Sequence, residues 1–573
     1  MPPREPGCQW RLATARPDAC ARLAAEANVS PLLAQCLINR GINDGASAEQ
    51  FLEPKLRALA DPFLIPGMEK AVERLLAARA SGEMVLIFGD YDVDGVTSTA
   101  MLYETLSALG WTVKYYLPSR LDEGYGLSQE AVENCVKLFS RFLLLAVDCG
   151  STSVESARWL KGLGVDVVVV DHHQVSIPPP DAAALVNPRL GTAFHELCSA
   201  GLAFKLAHAL LKRLRATGVA AAEQYDLRQH LDLVALGTVA DLVPLIGENR
   251  IFTHVGLGFL DATQRPGLRA LKTVARVAPP VGAYQVAFQL GPRLNAAGRL
   301  EDAEAALRLL LSTNASEADS LARNLDERNR QRQEIERAIC VEALEAVKAR
   351  FSVERDYVIV EGRDAWHIGV VGIVASRTLQ QFHRPTIIFG GDGAAWRGSG
   401  RSIEGFDLAA ALRQCEGLLL RHGGHAMAAG LSMNAANLDA FRTQLNDLAR
   451  ASLKPEQLSP TLALDAETTL AEMTLERAGE LARLEPCGMM NPPARLLARN
   501  VSHQQPPQRI GKEQQHVKFR LSAGGRTLEA VWWNCRDAAL PKIRFDVAFT
   551  PSVNEYNGRR APQLKVLGWR EAS

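Results

Sequence analysis

Two short, wholly apolar runs and a third broken only by Asp166 each end in acidic or imidazole side chains, and this pattern narrows the choice of fold more than any other. Met84-Val-Leu-Ile-Phe88 leads into Gly89-Asp90-Tyr91-Asp92-Val93-Asp94-Gly95, Phe142–Val147 leads into Asp148-Cys149-Gly150, and 165–170 leads into Asp171-His172-His173. Strands that are apolar at every position, without polar alternation, need cover on both faces. Interleaved with helical patterns (97–109, 200–236), they predict a doubly covered parallel sheet, the α/β class. Ligands of such sheets bind beyond the carboxyl ends of the strands, which is where these Asp and His residues fall. A fourth acidic position, Asp241, closes the helix-plus-loop string Gly237-Thr-Val-Ala-Asp241.

Asp90, Asp92 and Asp94 alternate, so in an extended segment they project to one side and bring three carboxylates together. Unpaired, such carboxylates repel one another and take up protons. A divalent cation removes the conflict, and oxygen donors with a single imidazole suit Mg²⁺ or Mn²⁺. Two simpler readings compete. The string also resembles the start of a calcium loop, but the glutamate that should close it is replaced by Met101. A lone Asp after a strand is more often a cap or turn residue, and for Asp148 or Asp241 taken singly the cap is the better account. Four such sites in one sheet are not explained by caps.

The rest of the chain divides by texture. Residues 1–79 read as short helices, 80–315 as the acidic α/β domain, and 316–350 as a connecting helix, charged and without Gly or Pro. Residues 351–454 form a second α/β pattern, and 455–573 a small β-rich domain. Lys+Arg and Asp+Glu are 64 each, so no global charge attracts nucleic acid. The charge is nevertheless segregated: 499–573 holds 13 basic and 6 acidic residues, a net of +7, together with seven aromatics. Basic and aromatic residues on alternating strands fit an oligonucleotide-binding barrel, in which bases stack and the groove attracts the backbone. Of the adjacent Trp532 and Trp533, one is expected in the core and one at the surface. The ten cysteines contain no C-x-x-C pair, the N-terminus has no apolar signal segment, and the apolar runs are too short to span a bilayer. A cytoplasmic protein without membrane contact is expected, with a monomer as the default.

The ordered strings GDYDVDG, VDCG, DHH and GTVADLVPL resemble the four motifs of the DHH phosphoesterase superfamily. LPSRLDEGYGL (117–127), GPRLNAAGR (291–299) and WHIGVVGIVASR (366–377) are similar to strings of its branch of bacterial single-strand-specific 5′→3′ exonucleases. GSGRS (398–402) and GGHAMAAG (423–430) resemble the DHH-associated domain. The resemblance covers about 80–570. It implies a DHH domain, a connecting helix, a DHH-associated domain and a C-terminal OB-like β-barrel. The implied activity is metal-dependent hydrolysis of single-stranded DNA from the 5′ end to mononucleotides, in repair and recombination, with helicase and single-strand-binding-protein partners.

By the same resemblance, Asp90, Asp92 and Asp148 hold one Mn²⁺ or Mg²⁺. Asp94, Asp148, His172 and Asp241 hold a second, with Asp148 bridging. His173 serves the substrate phosphate, against the simpler role of a hydrogen-bond partner behind the ligands, while Asp171 orients the imidazoles. Arg120, Arg293, Arg299, Ser399, Arg401 and His425 bind the substrate, the arginines through a fork that matches phosphate oxygens. Two alternatives remain at this point: a DHH-family phosphodiesterase acting on short oligonucleotides, and a non-catalytic nucleic-acid-binding scaffold. The basic β domain argues against the first and the retained ligand set against the second.

Overall fold

The computed structural model describes residues 8–572 except 120–122, 125, 301–302, 392, 394, 536–537 and 542. The chain forms two compact units. One comprises 49–331 with 485–492, and the other 1–48, 332–484 and 493–573.

The first unit is built on a five-stranded, all-parallel sheet in the order Val113–Tyr116, Met84–Phe88, Phe142–Val147, Val167–Val170, Ala184–Val186. The unbroken apolar runs are explained by the two cores they serve. Val85, Ile87, Leu143, Leu145, Val147, Val168 and Val170 pack on one face with the helices Val93–Ala108, Ser199–Ala216 and Leu231–Ala240. Leu86, Phe88, Leu144, Ala146, Val167 and Val169 pack on the other, where Gln129–Leu138 and Val154–Gly162 cover them. Burying one such side chain contributes about 1.5–3 kcal/mol, so the central strands form a rigid platform. Phe88 is in register with Ala146, and Val147 with Val170, so the residues that follow these strands emerge side by side.

The second unit contains a mixed five-stranded sheet ordered Arg421–His425, Ala428–Asn434, Ala395–Arg401, Thr386–Gly391, Ile359–Asp364. Its only parallel pair among the described residues is the last. It also contains a seven-stranded sheet in which Leu496–His503 pairs with both Arg544–Tyr556 and His516–Ala523, closing it into a barrel. Two hairpins turn at Gly524-Gly525 and at Asn557-Gly558, and Asn557 and Gly558 both take positive φ (50° and 72°), as a two-residue hairpin turn requires. Trp532 is buried and Trp533 is 46% exposed, which settles the two tryptophans.

Three local expectations change. Residues 1–79 are not purely helical: Gln9–Leu12 is a strand paired in parallel with Thr461–Leu464, a long-range pairing that four residues alone cannot announce. The connecting helix runs Ala315–Lys348. The acidic string 90–94 is not extended, because the helix begins at Val93 with Asp92 as its N-cap, accepting from Gly95 N–H at 3.1 Å.

Candidate metal centre

Because the helix starts inside the acidic string, its carboxylates separate into two groups rather than lying along one line. Asp90 and Asp92 come together with Asp148, whereas Asp94 comes together with His172 and Asp241, every set of donor atoms lying within 4.8 Å. His172 Nε2 lies 3.5 Å from Asp148 Oδ1, 3.5 Å from Asp241 Oδ2 and 3.9 Å from Asp94 Oδ2. His173 joins Asp148 and His172 in a third such group.

Asp90, Asp92 and Asp94 accept backbone hydrogen bonds that hold their carboxylates in place. Asp94 Oδ2 accepts from Ser199 N–H (2.7 Å) and Oδ1 from Ala200 N–H (2.8 Å), both at the start of the helix Ser199–Ala216, where backbone donors point outward. Asp90 Oδ1 accepts from Tyr91 N–H (2.8 Å). Gly95 is required by this packing, since a Cβ there would sit 2.6 Å from the Asp90 carbonyl oxygen. Gly237 is required likewise, with Thr97 Oγ1 at 2.5 Å and Asp94 Oδ1 at 3.0 Å from the would-be Cβ. Asp148 occupies the left-handed region at φ 64°, while its N–H still donates to Val170 O at 3.0 Å. A branchless strand end would not need that strain, which fits a functional demand on the side chain. Asp241 caps the carboxyl end of its helix, where the helix dipole disfavours a negative charge.

The electrostatics are those of an acidic cluster needing a counter-charge. Burial, and then the charge of Asp92, push Asp94 up to about 6. Burial followed by the surrounding carboxylates pushes Asp148 and Asp241 well above the usual range. Both oxygens of Asp148, and Oδ2 of Asp241, are buried without a hydrogen-bond partner among the described residues. Buried oxygens left unsatisfied at strand and helix ends, beside an imidazole, are the donor set that Mg²⁺ or Mn²⁺ takes. The residues present therefore fit divalent cations.

Asp171 lies behind this layer. Its Oδ2 accepts from Ser151 N–H (3.0 Å), and its Oδ1 accepts from the backbone N–H (3.1 Å) and Nδ1 (2.8 Å) of His173. Burial raises Asp171, but the hydrogen bond and charge of His173 outweigh it and hold the carboxyl well below the usual range. For His173 burial acts downward, and the Asp171 hydrogen bond and charge outweigh it to raise the imidazole.

Arg299 lines a cavity of about 260 Å³ with Tyr91, Asp92, Asp94, Asn295 and Asp241. Arg293 is engaged elsewhere: its Nε donates to the buried Asp326 (2.8 Å) and its Nη1 to Gln289 O (2.6 Å). Ser399, Arg401 and His425 belong to the other unit. There Arg401 Nη1 donates to Ser399 Oγ (2.9 Å), and Gly372, at the start of the helix Val371–Phe382, leaves room for both side chains. His425 is in register with Ala428, and Ala428 with Arg401, so these three form one row of the sheet. Arg120 lies outside the described residues. Sequence reasoning missed Asn295, whose Oδ1 accepts from Val93 N–H (3.1 Å) and so ties the acidic loop to the helix Gly291–Leu300. The string GPRLNAAGR carried that signal, but only its arginines stood out. It also missed Asn187, fully buried, whose Nδ2 donates to His173 O (2.9 Å).

Comparison with known proteins places this geometry. Residues 84–238 match the family model of the DHH family N-terminal domain, 355–451 that of the DHHA1 domain, and 464–568 that of the RecJ OB domain. The single-stranded-DNA-specific exonuclease RecJ of Escherichia coli is 37% identical, over 96% of this chain and 97% of its own length. That of Thermus thermophilus is 36% identical over 98% and 79%. The crystal structure of the Thermus thermophilus RecJ in complex with Mn²⁺ superposes with a TM-score of 0.84 at 33% identity, covering 99% of this chain and 80% of that one. A second crystal structure, of exonuclease RecJ bound to manganese, is 38% identical with a TM-score of 0.60, covering 70% and 97%.

Proposed function

This chain belongs to the RecJ family, and from that premise we propose that it binds single-stranded DNA by its 5′ end and releases mononucleotides one at a time. It is a metal-dependent hydrolytic exonuclease acting on single-stranded DNA. The 5′ polarity and the individual residue roles are the proposed part. The observation that supports the residue roles is the gathering of Asp90, Asp92, Asp94, Asp148, His172 and Asp241 into adjoining groups beyond the strand ends.

Asp90, Asp92 and Asp148 would hold one cation, and Asp94, Asp148, His172 and Asp241 a second, with Asp148 common to both. Bound there, two divalent cations supply the positive charge that favours deprotonation of the attacking water and offsets charge on the leaving oxygen. The chain's own contribution is placement. The backbone donors of Ser199 and Ala200 fix Asp94, and Asn187 and Asp171 fix the His172-His173 turn from behind. His173, kept protonated to higher pH by Asp171, serves as a cationic hydrogen-bond donor to a phosphate oxygen of the substrate. Arg299 reaches the same cavity from the helix Gly291–Leu300.

Ser399 and Arg401, over the start of the helix Val371–Phe382, form a cradle suited to a terminal phosphate, combining a guanidinium, a hydroxyl and helix N–H groups. Arg120, Arg293 and His425 complete the proposed substrate contacts. The β-barrel, with exposed Trp533 on the His516 ring, is the proposed track for the strand. A helicase and a single-strand-binding protein are the partners this reading calls for, with the enzyme a monomer in the cytoplasm. All ten cysteines are free thiols, and among the described residues no helix is long and apolar enough to cross a membrane.

The test is degradation of single-stranded DNA labelled separately at its 5′ and 3′ ends, with Mn²⁺, with Mg²⁺ and with chelator. A blunt duplex and the Asp148→Ala variant run alongside. The expected result is immediate release of the 5′ label as mononucleotide, on single strands only, dependent on metal and on Asp148. First release of the 3′ label would overturn the polarity, and cleavage by Asp148→Ala at the wild-type rate would overturn the assignment of the centre.

A further inference from the structure

Arg189 stands out in neither the motifs nor the role assignments above, yet it is built onto the metal centre. It follows the strand Ala184–Val186 in the short turn Pro188–Leu190. The buried Asn187 organises this turn: Nδ2 donates to Ser151 Oγ and to His173 O (2.9 Å each), and Oδ1 accepts from Arg189 N–H (2.9 Å). Arg189 Nε in turn donates to the carbonyl oxygen of His172 at 2.6 Å. One of the three guanidinium nitrogens is thus tied to the main chain of the residue whose imidazole closes the carboxylate cluster. The other two carry no hydrogen bond or ion pair among the described residues, and the side chain is exposed.

A guanidinium fixed at Nε points its two Nη groups in one direction, the geometry that accepts a phosphate bidentately. A polyanion entering a centre lined by five carboxylates needs fixed cations at the rim. Arg189 is such a cation, preorganised by Asn187 and His172. We propose that Arg189 binds, through Nη1 and Nη2, the DNA phosphate next to the scissile one, and so sets the register of the strand on the metal centre. This inference rests on the assignment of His172 to that centre.

The test uses the full chain and its Arg189→Ala and Arg189→Lys variants. Binding of a hydrolysis-resistant phosphorothioate oligothymidylate is followed by fluorescence anisotropy, in Mn²⁺, across a series of salt concentrations. One phosphate contact on a single strand contributes about 0.7 to the slope of log Kd against log salt. Arg189→Ala is expected to lower the slope by about that amount and to weaken binding about 3–10-fold at low salt. Arg189→Lys keeps the slope. In a scan of single neutral methylphosphonates, one position beside the scissile phosphate weakens binding by the wild type and not by Arg189→Ala. An unchanged slope, with no methylphosphonate position masked, overturns the proposal and leaves Arg189 as a tether of the His172 main chain, visible as a raised Mn²⁺ half-saturation. If His172→Ala keeps full metal-dependent cleavage, it is the underlying assignment of the centre that fails.

Discussion

Asp148→Asn removes one charge from the carboxylate cluster without changing its shape, and it is expected to abolish catalysis while stabilising the metal-free protein. Asn tolerates the left-handed backbone that Asp148 adopts at φ 64°, and its amide nitrogen gains carboxylate acceptors where Asp148 had two unsatisfied oxygens. The magnitude follows from proton linkage. Asp94, in the same centre, is raised from 3.8 to about 6. Asp148 is as deeply buried and faces four carboxylates, Asp94, Asp92, Asp90 and Asp241. The upper bound is the cost of keeping a group of ordinary pKa protonated at pH 7.5, about 5 kcal/mol. A carboxylate raised in the folded state contributes its full stability below its unfolded pKa and loses it as pH rises through the folded pKa. Metal-free wild type therefore loses stability relative to Asp148→Asn on going from pH 4 to 7.5, by at most about 5 kcal/mol. At about 2 °C per kcal/mol for a unit of this size, the variant melts higher at pH 7.5 in chelator, by up to about 10 °C, and equally at pH 4. Thermal unfolding of both proteins by circular dichroism measures this. Added Mn²⁺ should narrow the gap, since ligand at a hundredfold its Kd returns about 2.7 kcal/mol to the protein that binds it. A variant melting at or below wild type in chelator at pH 7.5, or a difference independent of pH, would refute the electrostatic reasoning.

Gly237→Ala places a methyl 2.5 Å from Thr97 Oγ1 and 2.7 Å from Ala200 Cβ. It should cost about 1–3 kcal/mol in denaturant unfolding and weaken activity by displacing Asp94. Asp171→Asn removes the charge that raises His173, so the limb of the pH–rate profile owed to His173 should move to lower pH. The rate at neutral pH should fall about 10–100-fold, and an unmoved limb would count against His173 as the titrating donor. Trp533→Ala removes an exposed ring from the barrel and should weaken single-strand binding by about 1–3 kcal/mol without lowering the melting temperature, whereas Trp532→Ala should chiefly destabilise the fold.

The strand positions in 84–170 were legible because a sheet buried on both faces leaves a local signature, an apolar run too short for a helix and ended by Gly or Asp. The gathering of acidic side chains was legible for a related reason: a parallel sheet sends every strand end to the same edge, so acidic strand ends must meet. The strand Gln9–Leu12 left no comparable trace, because its stability comes from a partner more than 450 residues away.

Other features were decided only by the tertiary structure. The division of Asp90, Asp92 and Asp94 between two groups depends on where the helix begins, and Asn295, seen in the fold at Val93 N–H, helps to hold that point. How an arginine is held also depends on its neighbours: Arg293 is paired with Asp326, while Arg189, in no recognised motif, is aimed by Asn187 and the His172 carbonyl. The amino-acid sequence by itself determined the fold class, the edge of the sheet where chemistry occurs and the residue types gathered there, because hydrophobic periodicity and strand direction are local properties. Tertiary structure decided which oxygens stay unsatisfied and which cations face outward, because hydrogen bonds are filled by whichever groups the packing brings within about 3 Å.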